Sequence, residues 1–171
     1  ARDASLAIGG YNTSVVTGTE EYNGSAWSAG GTIITSRFHF LGSAGTQNAG
    51  LAFGGYPPAS SNNATEEYDG SSWTSGGNLI RADRASQSFI GTQDAAVGAG
   101  GRTNNTCHEH YNGSSWSSQT ASPTNIACYA GGGSQNTFFI AGGQPTANTT
   151  TLTWNGTAWT SRGALINGVR D

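Results

Sequence analysis

Short runs of alternating apolar and small residues recur along the chain, and each run ends in a Gly-Gly pair. The runs are DASLAIGG (3–10), NAGLAFGG (48–55), DAAVGAGG (94–101) and NTFFIAGG (136–143). Alternation with a period of two predicts β-strands, and no segment shows the 3.6-residue apolar period of a helix. In the third run both faces are apolar or small. Such a strand is buried on both sides, which predicts sheets stacked face to face.

A six-residue aromatic motif follows each run. The copies are YNGSAW (22–27), YDGSSW (68–73), YNGSSW (111–116) and WNGTAW (154–159), and their last tryptophans are 46, 43 and 43 residues apart. A turn, GTQ or GSQ, precedes the last three runs at 45–47, 91–93 and 133–135. Copies that stay in register over this length indicate a repeat architecture.

The Asn-Gly or Asp-Gly pair in each motif predicts a β-hairpin with a two-residue type I′ turn, in which both central residues have positive φ. The aromatic residues beside the turn, such as Tyr22 and Trp27, are then expected to pair across the hairpin. Each repeat is thus predicted to form four short strands. The repeats cover roughly 1–30, 31–77, 78–120 and 121–163 of a single domain, 1–171, and 164–171 is a candidate ring-closing segment.

A four-stranded sheet of about 40–50 residues, repeated and stacked on both faces, is typical of a propeller blade. We therefore predict an all-β fold, a β-propeller built from four repeats of four-stranded antiparallel blades. Only three of the four first strands are complete in the sequence. Three alternatives follow: the four blades close a ring, the chain continues beyond Asp171, or two chains form an eight-bladed dimer. An open end would expose an apolar blade face.

Composition excludes several function classes. Seven Lys and Arg stand against ten Asp and Glu, for a net charge of −3, and a nucleic-acid-binding protein normally carries a basic field. No run of about 18 apolar residues occurs, so no membrane insertion is expected. The chain begins with Ala and contains no Met, which suggests a processed chain or a fragment.

The Gly-Gly doublets with the Tyr and Trp that follow them resemble kelch repeats over essentially the whole chain. That resemblance implies a four-stranded blade for each repeat. The Tyr-to-Trp spacing is shorter here than in the usual pattern. The strong Gly/Ser/Thr/Asn bias is similar to that of kelch-like repeats in bacteriophage virion and tail-associated proteins, which implies an extracellular or virion-surface location.

Catalytic chemistry is not predicted. Kelch-type propellers include a copper oxidase, but the three histidines, His39, His108 and His110, fall in two repeats without its surrounding motif. His108 and His110 would share one side of a strand and could hold a metal, yet no third ligand is evident. We expect exposed histidines, two buried thiols at Cys107 and Cys128, no metal site and no cofactor.

The arginines suggest a binding face. Strand directions alternate within a blade, so the longer loops are expected on one face and the tight turns on the other. Six of the seven arginines fall in the long-loop class, namely Arg37, Arg81, Arg84, Arg102, Arg162 and Arg170. The first five are the predicted binding residues, because loops on a rigid scaffold often carry function. The alternative is that these arginines provide solubility and form Arg–carboxylate pairs between blades.

Most acidic residues are expected on the opposite, tight-turn face. They include Glu20, Glu21, Glu66, Glu67 and Glu109, which all precede the aromatic hairpin. The resulting prediction is a non-enzymatic structural or adhesive module that binds a protein or a surface glycan, as a homo-oligomer or within a larger assembly. The rival is a multivalent lectin with pockets between blades, lined by Trp and Asn or Asp.

Overall fold

A computed structural model describes residues 4–56, 62–81, 90–101, 105–127, 130–143 and 148–168. Within these ranges the chain forms four antiparallel sheets. The strands are β1 (Ser5–Tyr11), β2 (Val15–Tyr22), β3 (Trp27–Ala29), β4 (Phe38–Thr46), β5 (Ala49–Tyr56), β6 (Thr65–Tyr68), β7 (Trp73–Ser75), β8 (Gly91–Thr92), β9 (Ala95–Ala99), β10 (His108–Tyr111), β11 (Trp116–Ser118), β12 (Ala130–Ser134), β13 (Thr137–Ala141), β14 (Thr151–Trp154) and β15 (Trp159–Ser161).

Each sheet follows the order of the chain. The first sheet is β1-β2-β3, and the next three are the four-stranded meanders β4-β5-β6-β7, β8-β9-β10-β11 and β12-β13-β14-β15. The all-β prediction with one sheet per repeat is therefore confirmed. The described residues of the first and fourth sheets do not pack together as consecutive sheets do, and closure of a ring stays a prediction.

The predicted two-residue turn in the aromatic hairpin is wrong. Tyr22 pairs directly with Trp27, so the loop between them has four residues. The Oδ1 atom of Asn23 accepts the backbone N–H groups of Ser25 and Ala26, both at 3.0 Å. The φ angle is positive at Gly24 (95°) but not at Asn23. The Asn side chain thus organises the loop by accepting hydrogen bonds and not by adopting a left-handed backbone.

The same loop recurs at the other three hairpins, where Asp69, Asn112 and Asn155 accept equivalent bonds. The predicted aromatic pairing is confirmed, since the ring centroids of Tyr22 and Trp27 lie 5.1 Å apart. The corresponding distance is 4.9 Å for Tyr68 and Trp73.

The core consists of three apolar clusters, and each lies between two consecutive sheets. β9 is buried on both of its sides, as its sequence predicts, because Ala96 faces the second sheet while Val97 and Ala99 face the fourth. We call the three contacts the first, second and third junctions. Their buried apolar residues are Ile33, Ala52, Tyr68 and Trp73; Leu51, Phe53, Leu79, Ala96, Tyr111 and Trp116; and Ile90, Val97, Ala99, Ile126, Phe138, Ile140, Leu152 and Trp154.

Candidate functional site

The predicted arginine face is only partly described by the structure. Arg81 and Arg162 are exposed, while Arg84 and Arg102 lie outside the described residues. Arg37 is completely buried, and its guanidinium forms an ion pair with Glu66 at 2.5 Å. No partner can reach Arg37 in this fold. Its carboxylate partner, Glu66, belongs to the same predicted repeat, 31–77, so the ion pair does not join two blades as the alternative expected. Binding by the other four arginines stays a prediction.

The repeated tryptophans join consecutive sheets. The indole Nε1 of Trp73 donates to Oγ1 of Thr19 in the preceding sheet at 2.9 Å. Trp116 repeats this bond to Thr65 at 2.8 Å. Both indoles are 6% exposed. Because a buried indole N–H needs an acceptor, the Trp and the Thr of neighbouring repeats form one unit of the first two junctions.

The tyrosines of the same motif also point to the preceding sheet. The Tyr68 hydroxyl donates to the Glu21 carboxylate at 2.5 Å, and Tyr111 donates in the same way to Glu67. Burial raises the pKa of both phenols, and the neighbouring carboxylate raises it further. These hydroxyls therefore stay protonated donors in the physiological range.

The expectation of an acidic tight-turn face is wrong for two of its members. Glu66 and Glu109 are buried, because the loop that leaves the preceding sheet presents backbone N–H groups to them. Glu66 accepts from Ile34 at 2.7 Å, and Glu109 accepts from Ile80 at 3.0 Å. These carboxylates are structural ligands of the junction loops.

The glutamine of each GTQ or GSQ turn donates two hydrogen bonds to backbone carbonyls of the preceding sheet. Gln93 Nε2 donates to the carbonyls of Gly50 and Tyr68, at 2.9 and 2.8 Å. Gln47 and Gln135 make the equivalent pair of bonds in their own junctions. Sequence reasoning treated these residues as turn formers only. A glutamine recurs at the same position of the turn in three repeats. This recurrence could have indicated a shared structural contact.

The third junction differs because His108 and His110 replace the Thr and Glu of the earlier junctions. Their rings lie 4.6 Å apart, which places them on one side of β10 as predicted. The expected exposure is wrong, since His108 is buried and stacks edge-on against Trp154 at 4.7 Å. Burial lowers the pKa of His110 to about 4. Trp159 accordingly donates to the carbonyl of Thr120 at 2.9 Å.

No metal centre is present among the described residues: no group of three His, Cys, Asp or Glu could hold an ion. Cys107 is a free thiol of intermediate exposure, so its predicted burial is not observed. Cys128 lies outside the described residues. No helix in the described ranges has the length and hydropathy needed to cross a membrane.

Two cavities open on the described surface. One of about 320 Å³ lies where the innermost strands of the first three sheets meet, beside Leu6, Ser43 and Gln47. The other, of about 490 Å³, lies over the outer face of the fourth sheet and is lined by Phe139, Thr153 and Arg162 among others. The second cavity is the more apolar, and Phe139 is the exposed aromatic side chain in its wall.

Among the described residues, one face of the first sheet and one face of the fourth sheet are not covered by another sheet. The leading face is the outer face of the first sheet and consists of Ala7, Glu20, Tyr22 and Trp27. The trailing face is the outer face of the fourth sheet and consists of Phe139, Thr151, Thr153, Gly163 and Ile166. Trp27 and Phe139 are exposed by 51% and 47%. Exposed aromatic patches of this kind mark interaction sites.

No protein-family model matches the sequence, and no curated protein matches it significantly.

Proposed function

We propose that this chain is a non-enzymatic structural and adhesive module, a kelch-like propeller-type repeat protein on the outside of a phage particle or a cell. The observation that carries the proposal is the use of the repeated polar side chains. In the second and third repeats, Trp, Tyr and Glu direct their hydrogen-bonding groups to the preceding sheet or to the loop that leaves it. The glutamines of the GTQ and GSQ turns do the same. Repetition therefore builds a stiff scaffold, and the loops that vary between repeats are left to select a partner.

The long-loop edge is the surface that we assign to an external partner. Arg81 lies exposed at the end of the loop that Glu109 holds, and Arg84 follows three residues later in the sequence. A planar guanidinium on a fixed loop suits bidentate recognition of carboxylates on a protein or an acidic glycan. The Gly/Ser/Thr/Asn bias supports a location outside the cell.

Binding to intact bacterial cells tests this proposal. Fluorescently labelled protein is incubated with a panel of cells before and after protease treatment, and in parallel with a glycan array. We expect cell binding that protease removes and that the double variant Arg81→Ala/Arg84→Ala weakens at least tenfold. The matched control is Ser117→Ala, an exposed strand residue, which should bind like the parent. Failure to bind any cell or glycan argues against an adhesive role.

A lectin is the second candidate, and one cavity favours it. The predicted pockets between blades would need Trp73 and Trp116, whose indoles fill the first two junctions. The cavity over the fourth sheet instead places the exposed ring of Phe139 near Asn155 and Arg162, a combination that suits stacking of a sugar ring. Array binding that Phe139→Ala abolishes and Arg81→Ala leaves unchanged supports the lectin over the arginine-edge proposal.

A further inference from the structure

The leading face carries residues whose counterparts in later sheets pack on the preceding sheet. Trp27 corresponds to Trp73 and Trp116, yet it is 51% exposed where they are 6% exposed. Glu20 corresponds to Glu66 and is exposed instead of buried. The first sheet thus presents an indole and a carboxylate whose counterparts are bound within the first two junctions.

The trailing face carries residues whose counterparts in earlier sheets are covered by the following sheet. Phe139 occupies the position at which Leu51 and Val97 are fully buried by the next sheet, and it is 47% exposed. Thr151 occupies the position of Thr19 and Thr65, whose hydroxyls accept the indole N–H of the next sheet. The cavity of about 490 Å³ lies over this same face.

The loop after the fourth sheet is also shaped for a neighbour. Its first residues follow the same path as the loop after the second sheet. Leu165 N donates to Thr149 O at 2.8 Å, just as Leu79 N donates to Asn63 O at 2.8 Å. The next residue, Ile166, corresponds to Ile80, whose N–H binds Glu109. Ile166 is 99% exposed, so its backbone is open to the carboxylate of an incoming sheet.

Gly163 is the most specific sign of a missing neighbour. Its counterparts Gly31 and Gly77 lie beneath the hairpin loop of the following sheet, where an added Cβ would come within 2.4 Å of Ser71 O and 2.2 Å of Ser114 O. At Gly163 an added Cβ would meet no atom within 4 Å. In the first two junctions the glycine leaves room for the hairpin loop that packs on it. The third junction has the exposed Thr120 at this position, so Gly163 matches the first two junctions and not the third.

One position of the trailing face departs from the internal pattern. Arg162 stands where the first two junctions have Gly30 and Gly76, whose small size admits a Tyr hydroxyl: an added Cβ would lie 2.5 and 2.6 Å from it. Tyr22 therefore cannot occupy the place that Tyr68 has in the first junction. The third junction already dispenses with that Tyr contact, because Trp154 replaces Tyr there.

We propose that the leading face of one copy of this chain binds the trailing face of a second copy, head to tail, with Trp27 over Thr151 and the 23–26 hairpin loop over Gly163. The proposal rests on the structural role proposed above and names the partner of these two faces. Because the two faces differ, the contact is heterologous and either closes a ring or extends a filament. The occupant is argued from the first two internal junctions, which bury the corresponding Trp, Thr and Glu positions. The third junction keeps the Trp but has His108, Leu152 and Thr120 at the Thr, Glu and Gly positions.

Sedimentation of the full chain over a range of concentrations tests the contact. We expect the parent to exceed the monomer mass of 17.4 kDa. Gly163→Val should remain monomeric and should melt like the parent at dilutions where the parent is itself monomeric, because the space around Gly163 is open in the single copy. Trp27→Ala should also remain monomeric. The matched control Ala164→Thr should assemble like the parent, since its counterpart Thr32 is exposed beside the first junction.

Mixing the two monomeric variants decides the geometry. Gly163→Val retains a competent leading face and Trp27→Ala a competent trailing face, so an equimolar mixture should form a pair that neither forms alone. A monomeric parent overturns the inference. A parent of monomer mass whose melting temperature falls with Gly163→Val indicates closure within one chain, which also overturns it. If the mixture of the two variants forms no pair, the inference is likewise overturned. Cell binding that persists in Gly163→Val then leaves the adhesive proposal standing independently.

Discussion

The guanidinium of Arg37 lies 2.5 Å from the carboxylate of Glu66, and both side chains are shielded from solvent. Arg37 also donates to the carbonyls of Gly54 and Ala64, at 2.9 and 3.0 Å. Glu66 in turn accepts the N–H groups of Ile34 and Thr35. This pair fixes the segment that leads from the first sheet into the second, so it sets how the two sheets meet.

Replacing Arg37 by Met should therefore be severely destabilising. The change leaves the Glu66 carboxylate buried without its cation, and such a loss typically costs about 3–5 kcal/mol. Urea unfolding monitored by tryptophan fluorescence measures the effect. The double variant Arg37→Met/Glu66→Gln should lose less, because the neutral amide leaves no buried charge and its one oxygen still accepts one of the two loop N–H groups. A double variant less stable than Arg37→Met alone contradicts this account.

Removal of the Thr hydroxyl that accepts the indole N–H should lower the free energy of unfolding. Thr65→Val keeps the shape of the side chain but leaves Nε1 of buried Trp116 without its acceptor at 2.8 Å. We expect a loss of about 1–3 kcal/mol in the free energy of unfolding. The control Thr160→Val lies on an exposed position of β15 and should change it by no more than about 0.5 kcal/mol. Equal effects at the two positions contradict a specific Trp–Thr bond.

Asp69 should make the second hairpin loop acid-sensitive. Hydrogen bonds from the backbone N–H of Ser72 and from Ser71 lower the pKa of its carboxyl to about 2 from an ordinary value of 3.8. A lowered carboxyl pKa stabilises the fold above pH 3.8, and this stabilisation is lost as the pH falls toward 2.

The matched variant is Asp69→Asn, since Asn occupies this position in the other three hairpins. The difference in melting temperature between parent and variant should be constant above about pH 5 and should shift against the parent between pH 4 and 2. A difference that does not vary with pH shows that the carboxyl does not titrate with folding.

His110 should act in a separate pH window. Burial lowers its pKa from 6.5 to about 4, so the unfolded chain takes up a proton in this window while the folded chain does not. Stability should accordingly rise with pH between about 4 and 6.5. His110→Gln should reduce this slope, and NMR titration of the parent should place the His110 midpoint near pH 4. A midpoint near 6.5 contradicts the burial of this imidazole.

Sequence periodicity determines the local units of this protein. The two-residue alternation predicted β9 and its burial on both sides, and the recurring YNGSAW motif predicted the hairpins with their aromatic pairs. These features follow from short-range geometry, because side chains alternate along a strand and because partners across a hairpin are close in sequence. The copy number also predicted one sheet for each repeat.

Tertiary structure decided where the polar side chains go. Nothing in the local pattern distinguishes Arg37, which is buried, from Arg81, which is exposed, since their neighbours belong to other strands and other sheets. Likewise, the sequence identifies Gln93 only as a turn residue. Its hydrogen bonds to the carbonyls of Gly50 and Tyr68, both shorter than 3 Å, are visible only in the tertiary structure. The sequence alone determined the repeating strand and hairpin units, because those depend on nearest neighbours. The stacking of sheets decided which groups are bound and which faces stay open, because burial depends on residues about 40 positions away.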